Sequence, residues 1–208
     1  MIKVEIKDKE YEFPESWDDI TMKDYCNAFY KLAKTDDSMD EITKTTTTLR
    51  NEAIIISRLL GEKDDFVLSL PLPIFAMLKD KVKFIYDIGG FLERNIFYLN
   101  IDGKKYWIPS PEEMSLRQYI DSDIIMRDDE NKQQFIELLA CLLIPTDKEE
   151  YDGNYEALVP KIERMKASDG LPFVYTFFKK KIVSKKVLKD FSRIGEAVDQ
   201  QLLNIQGS

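Results

Sequence analysis

The chain has 208 residues, 44% hydrophobic and 33% charged, with a net charge of -8. That balance belongs to a folded protein and excludes a disordered one, and the negative charge opposes general attraction to nucleic acid or anionic lipid. There is no histidine, which removes the Ser-His-Asp triad, the Cys-His dyad and the common zinc sites, so the expectation is a protein that is not an enzyme and carries no cofactor or metal.

From the N-terminus, Ile2, Val4 and Ile6 alternate, Asp8-Lys9 is the expected turn, and Tyr11 and Phe13 continue the alternation. This predicts a two-stranded ribbon. Pro14 ends its pairing. Thr21 with Asp24 three residues on forms a capping-box pattern, worth about 1 kcal/mol to a helix start. A helix over 21–34 follows, with Met22, Tyr25, Cys26, Phe29 and Leu32 on one stripe. After a polar segment the spacing predicts a helix over 44–60, its start blurred by the threonines at 45–48 and its end set by Gly61. Leu70-Pro71-Leu72-Pro73 introduces a third helix over 74–86, and Gly89-Gly90 turns the chain.

Then the opening repeats. Ile6, Lys9, Tyr11 and Pro14 recur 95 positions later as Ile101, Lys104, Tyr106 and Pro109. After one deletion, Thr21, Met22, Lys23 and Tyr25 recur as Ser115, Leu116, Arg117 and Tyr119. A second ribbon turning at Asp102-Gly103 therefore leads to a helix over 115–123, capped by Ser115 with Gln118. A helix over 132–143 carries a broad apolar face and stops at Pro145; a short helix over 155–166 follows. Leu171-Pro172-Phe173 echoes Leu72-Pro73-Ile74 at an offset of 99.

The pattern predicts an α+β fold, mostly α-helical, of two related units, each a β-hairpin with about three helices. The expected divisions are 1–95, 96–183 and a C-terminal helical extension over 184–208, with the two units free to share one core. Cys26 and Cys141 lie far apart in apolar surroundings, which predicts reduced, buried thiols in a cytoplasm. The longest apolar runs are too short to span a bilayer, so no membrane partner is expected. The acidic pairs, such as Asp64-Asp65 and Asp128-Asp129, lack calcium-loop spacing and read as solvated caps and loops.

Two features carry a possible interface. Trp17 and Trp107, beside the ribbons with Tyr11 and Tyr106, either cover the ribbon and anchor the first helix or meet a protein partner. Residues 171–208 hold seven basic side chains (Lys179, Lys180, Lys181, Lys185, Lys186, Lys189 and Arg193) against Asp190, Glu196 and Asp199, a net of +4 that leaves -12 on the rest. That run is a solvated helix face, a surface docking on the acidic body of another copy, or, against the overall charge, a nucleic-acid contact.

The segment Tyr11 to Tyr25, Y-x-F-P-E-S-W-D-x-I-T-x-x-x-Y, resembles small proteins encoded among the late structural genes of tailed bacteriophages, particularly the crAss-like phages of gut Bacteroidetes. Phe135 to Pro145, Tyr151-Asp-Gly-Asn and Phe173 to Phe178 resemble the second half of the same group. The resemblance implies an oligomeric virion subunit, such as a ring at the neck or tail junction, with other neck or tail proteins as partners. It equally accommodates a tail assembly chaperone absent from the finished particle. The location it implies is the host cytoplasm during assembly, and the virion if the protein is structural. A nucleic-acid-binding or host-directed factor acting through the lysines is a third reading.

Overall fold

The first hairpin consists of β1 (Ile2–Ile6) and β2 (Lys9–Phe13), paired antiparallel with Ile2 opposite Phe13 and Ile6 opposite Lys9. The computed structural model describes residues 1–36, 38–87, 98–110, 113–128, 130–148 and 150–174. Alternation decides which side of the ribbon is covered: Val4, Ile6, Tyr11 and Phe13 are buried, and Glu5, Glu10 and Glu12 between them face water. The turn is Lys7 and Asp8, at φ +51° and +62°, one residue earlier than the expected Asp8-Lys9. The register explains the correction, because a two-residue loop with positive φ at both positions matches the twist of the strands.

The second hairpin, β3 (Tyr98–Ile101) and β4 (Lys104–Trp107), repeats this pairing at the offset of 95. Ile101 faces Lys104 and Leu99 faces Tyr106, as Ile6 faces Lys9 and Val4 faces Tyr11. Here the turn is Asp102 and Gly103, at φ +51° and +78°. The first turn holds a side-chain residue where the second holds glycine, and a residue with a Cβ is disfavoured in that conformation. Asp8→Gly should therefore raise the unfolding free energy by about 0.5 kcal/mol in a urea titration; a loss of stability would show that the aspartate is favoured there.

Helix α1 (Met22–Phe29) starts at the predicted capping box: Thr21 Oγ1 accepts from Asp24 N at 3.1 Å, and Asp24 Oδ2 accepts from Thr21 N at 3.1 Å. It stops five residues short of the expected end. Arg58 of α2 (Glu41–Leu59) donates through Nη1 to the carbonyls of Asn27, Ala28 and Tyr30, and Lys31 turns away at φ +48°. Helix α2 begins three residues before the expected start, because the Asp40 side chain accepts from Thr43 N and caps it. The threonines lie in its solvated first half, and Ala53, Ile55 and Ile56 are buried in its second. Helix α3 (Leu72–Lys81) starts two residues early, with Pro73 in its first turn, and tightens into a 3-10 turn over Lys83–Tyr86.

In the second half α4 (Leu116–Arg127) runs four residues beyond the expected 123. Gln134 Nε2 reaches the carbonyls of Ile125, Met126 and Asp128 at that end. Helix α5 (Gln134–Leu142) follows, and a third strand, β5 (Ile144–Pro145), pairs with β4. That strand is unforeseen; Pro145 ends the helix but sits on a sheet edge, where its missing N–H costs nothing. The expected helix over 155–166 is a 3-10 turn (Tyr155–Leu158) leading into α6 (Val159–Glu163), after which the backbone leaves the helix to bridge Thr21 through Lys166. Residues 167–174 are helical again, so Pro172 lies inside a helix that begins five residues before it.

The architecture is mixed α+β and mostly helical, with a two-stranded and a three-stranded antiparallel sheet. Helix α5 is its centre. Ile136, Leu139, Ala140 and Cys141 are fully buried, and Leu138 and Leu142 nearly so. A short helix apolar on so many sides must be enclosed, and α5 packs against α4, α1 and α6. One continuous buried cluster takes in both hairpins and helices from both halves.

Candidate protein interface

Helix α4 has two unlike faces. Its inner face, Gln118, Ser122, Ile125 and Met126, is buried, and Gln118 Nε2 donates to the carbonyls of Cys141 and Leu142 at 2.9 and 3.3 Å. That bond ties α4 to the last turn of α5. Its outer face carries Leu116, Ile120 and Ile124, which are 75%, 48% and 63% exposed. Residues four apart share one side of a helix, so these three form a continuous apolar stripe in water, with the exposed Arg117 and Arg127 on the same helix.

A second apolar patch lies at the entrance to α3. Leu68 and Leu72 are 51% and 75% exposed, Pro71 and Pro73 beside them are exposed, and Met77 continues the patch along the helix. Asp64 and Asp65 lie just before it. Arg58 holds Asp64 in a bidentate pair, Nε to Oδ1 and Nη2 to Oδ2, both at 2.7 Å, which keeps that carboxyl below the ordinary carboxylate range.

The interior polar groups are engaged in packing. Burial pushes the Cys26 thiol up to about 12 and the Cys141 thiol up to about 11. A thiol acts as nucleophile through its thiolate, so both are held in the unreactive form. Tyr151 Oη donates to Asp121 Oδ2 at 2.8 Å and lies 3.6 Å from Cys141 Sγ; burial raises its pKa. Glu52, buried in α2, accepts from Tyr86 Oη at 2.7 Å and forms an ion pair with Lys79 Nζ at 2.9 Å, joining α2 to α3 and the turn beyond it.

The acidic residues are used as caps and pairs. Asp19 holds the N-terminal amine and the Glu15 N–H, Asp123 pairs with Arg127, and Asp152 accepts from Asn154 N. Among the described residues no group of three or more His, Cys, Asp or Glu is placed to hold a metal ion, and no helix is long and apolar enough to cross a membrane.

Of the residues predicted at an interface, Trp17 is in the core at 8% exposure, edge-on to Phe84 with ring centroids 5.4 Å apart. It is therefore corrected from a surface candidate to a packing residue, and its indole covers the base of α1 beside Tyr25. Trp107 is half-buried on β4, opposite Tyr98 on one side and Ile144 on the other. Lys179, Lys180, Lys181, Lys185, Lys186 and Lys189 lie outside the described residues, as does the predicted extension over 184–208. The stripe on α4 escaped sequence reasoning although its signal, apolar residues at 116, 120 and 124, stands in the chain.

Among the described residues the fold thus presents two apolar surfaces, on a scaffold whose buried Glu52 and Gln118 side chains bind neighbouring elements through Tyr86 and the end of α5. Comparison with protein-family models, curated proteins and solved structures finds no match.

Proposed function

We propose that this protein is a non-enzymatic structural subunit of a tailed-phage virion, assembling with copies of itself into a ring at the neck or tail junction. The observation that carries the self-assembling part is the α4 stripe. Three branched or long aliphatic side chains aligned in water are a cost that a partner surface removes, while the inner face of the same helix is firmly anchored. The thiols, held protonated by burial, favour a scaffold over a cysteine-based catalyst. The phage context rests on the sequence resemblance alone, and the neck or tail position comes with it.

Mass spectrometry of purified particles of the phage encoding this chain tests the reading. The subunit should be present in a fixed multiple relative to the portal or tail proteins. Its absence from clean particles, with abundance in the infected cell, would overturn the structural role and leave the assembly chaperone.

A further inference from the structure

The junction between the two halves has a counterpart that lies open. In the junction, the segment around 163–171 of the second half packs on the start of α1. Met22 N donates to Met165 O at 2.8 Å, Ala167 N donates to Ile20 O at 2.7 Å, and Lys23 Nζ pairs with Glu163 at 3.3 Å. The Met22 side chain lies so close to Gly170 that a Cβ there would come within 2.5 Å of its sulfur. Met22 and Leu171, one from each side, are 0% and 1% exposed.

Each side of this junction recurs elsewhere in the chain. Ser115, Leu116 and Arg117 stand for Thr21, Met22 and Lys23, at an offset of 94. Ser69-x-x-Leu72-Pro73-Ile74 stands for Ser168-x-x-Leu171-Pro172-Phe173, at an offset of 99. The counterparts of the buried Met22 and Leu171 are Leu116 and Leu72, and each is 75% exposed. The charges correspond as well: Lys23 and Glu163 have Arg117 and Asp64 as counterparts, and the Asp64 side chain is 53% exposed beyond its bond to Arg58. Of the ten large apolar side chains exposed among the described residues, six lie in these two patches (Leu68, Leu72, Met77, Leu116, Ile120 and Ile124), so exposure concentrates where the repeat predicts a contact.

The first half's α1 is therefore covered by the second half's segment, while the first half's own segment and the second half's own α4 stay uncovered among the described residues. We infer that this open pair closes between chains: the 68–72 segment of one copy seats on Leu116, Ile120 and Ile124 of the next, bringing together the sequence counterparts of the internal junction. The inference deepens the function proposed above and rests on it for taking a second copy as the occupant. Because the two surfaces are unlike, each added copy leaves one of each kind open, and the series closes into a ring or extends as a filament.

Sedimentation velocity on the full chain tests the contact with Ile120→Asp and Leu72→Asp, both at exposed positions and both checked for an unchanged circular dichroism spectrum. At a concentration where the unmodified chain associates, each variant alone should run as a single chain, since every contact needs both surfaces. An equal mixture should form a one-to-one dimer and stop, because each variant keeps the surface the other has lost. If both variants assemble like the unmodified chain, or if the mixture stays as single chains, the contact is wrong while self-association stands. If the unmodified chain itself never associates, the self-assembling subunit is overturned along with the contact.

Discussion

Arg58→Ala should lower the unfolding free energy by about 3 kcal/mol, read as a lower urea midpoint at unchanged slope. This guanidinium, whose side chain is 19% exposed, performs three tasks at once. It forks onto Asp64, it closes the end of α1 by donating to the carbonyls of Asn27, Ala28 and Tyr30, and it fixes α2 against both. Removing it leaves the part-buried carbonyls of Ala28 and Tyr30 without their donor and frees Asp64, 53% exposed, to water, and unsatisfied partners cost more than the bonds themselves contribute. Arg58→Lys should recover only part of the loss, because an ammonium restores the charge without the planar fork. Asp64 adds a pH signature. Arg58 depresses its folded pKa below the ordinary 3.8, so the stabilisation is present above that value and is lost as pH falls through the folded pKa. The Asp64 contribution to acid sensitivity should vanish in Arg58→Ala. A loss under 1 kcal/mol would show that the end of α1 is held by something else.

Leu139→Ala should cost about 3–4 kcal/mol, the lost transfer free energy plus the cavity left behind. Leu139 is fully buried in α5, the helix that packs against α1 of the first half and α4 and α6 of the second. The loss should therefore be shared: fluorescence from Trp17 in the first half and Trp107 in the second should report the same shifted midpoint. Two separate transitions, with only the Trp107 signal displaced, would mean that the halves fold independently despite the shared buried cluster.

What was legible in the chain was local. The hairpins, Thr21 and Ser115 as caps, and the α+β class follow from alternation, turn dipeptides and capping residues that act within a few positions. The ends of α1 and α4 were not legible, because Arg58 and Gln134 set them from outside those helices. The first turn was misplaced by one residue, although the offset of 95 from Asp102 and Gly103 points to Lys7 and Asp8. For Trp17 the chain leaves two readings, cover for the ribbon and first helix or contact with a partner, because tryptophan suits both; Phe84 and Tyr25 beside it decide for the first. The α4 stripe was hidden for a related reason. Leu116, Ile120 and Ile124 lie on one face and Ile125 and Met126 on the other, and periodicity cannot say which face is covered. Gln118 and Ser122, polar and yet buried, reverse the usual assignment.

The duplication gains physical content from this comparison. The hairpin register and the helix cap take the same local structure in both halves, whereas Leu171 lies inside a helix and its counterpart Leu72 begins one. Burial differs, since Met22 is enclosed and Leu116 is bare. The hairpin and cap are shared by the two copies while their cover differs among the described residues, and on the proposed contact the second junction is made between chains.

Multi-angle light scattering of the unmodified chain over a concentration series measures that directly. The mass should rise past a dimer with concentration, either without limit or to a plateau at a closed ring. A chain that remains single at every concentration, or that stops at two copies, would contradict a head-to-tail subunit.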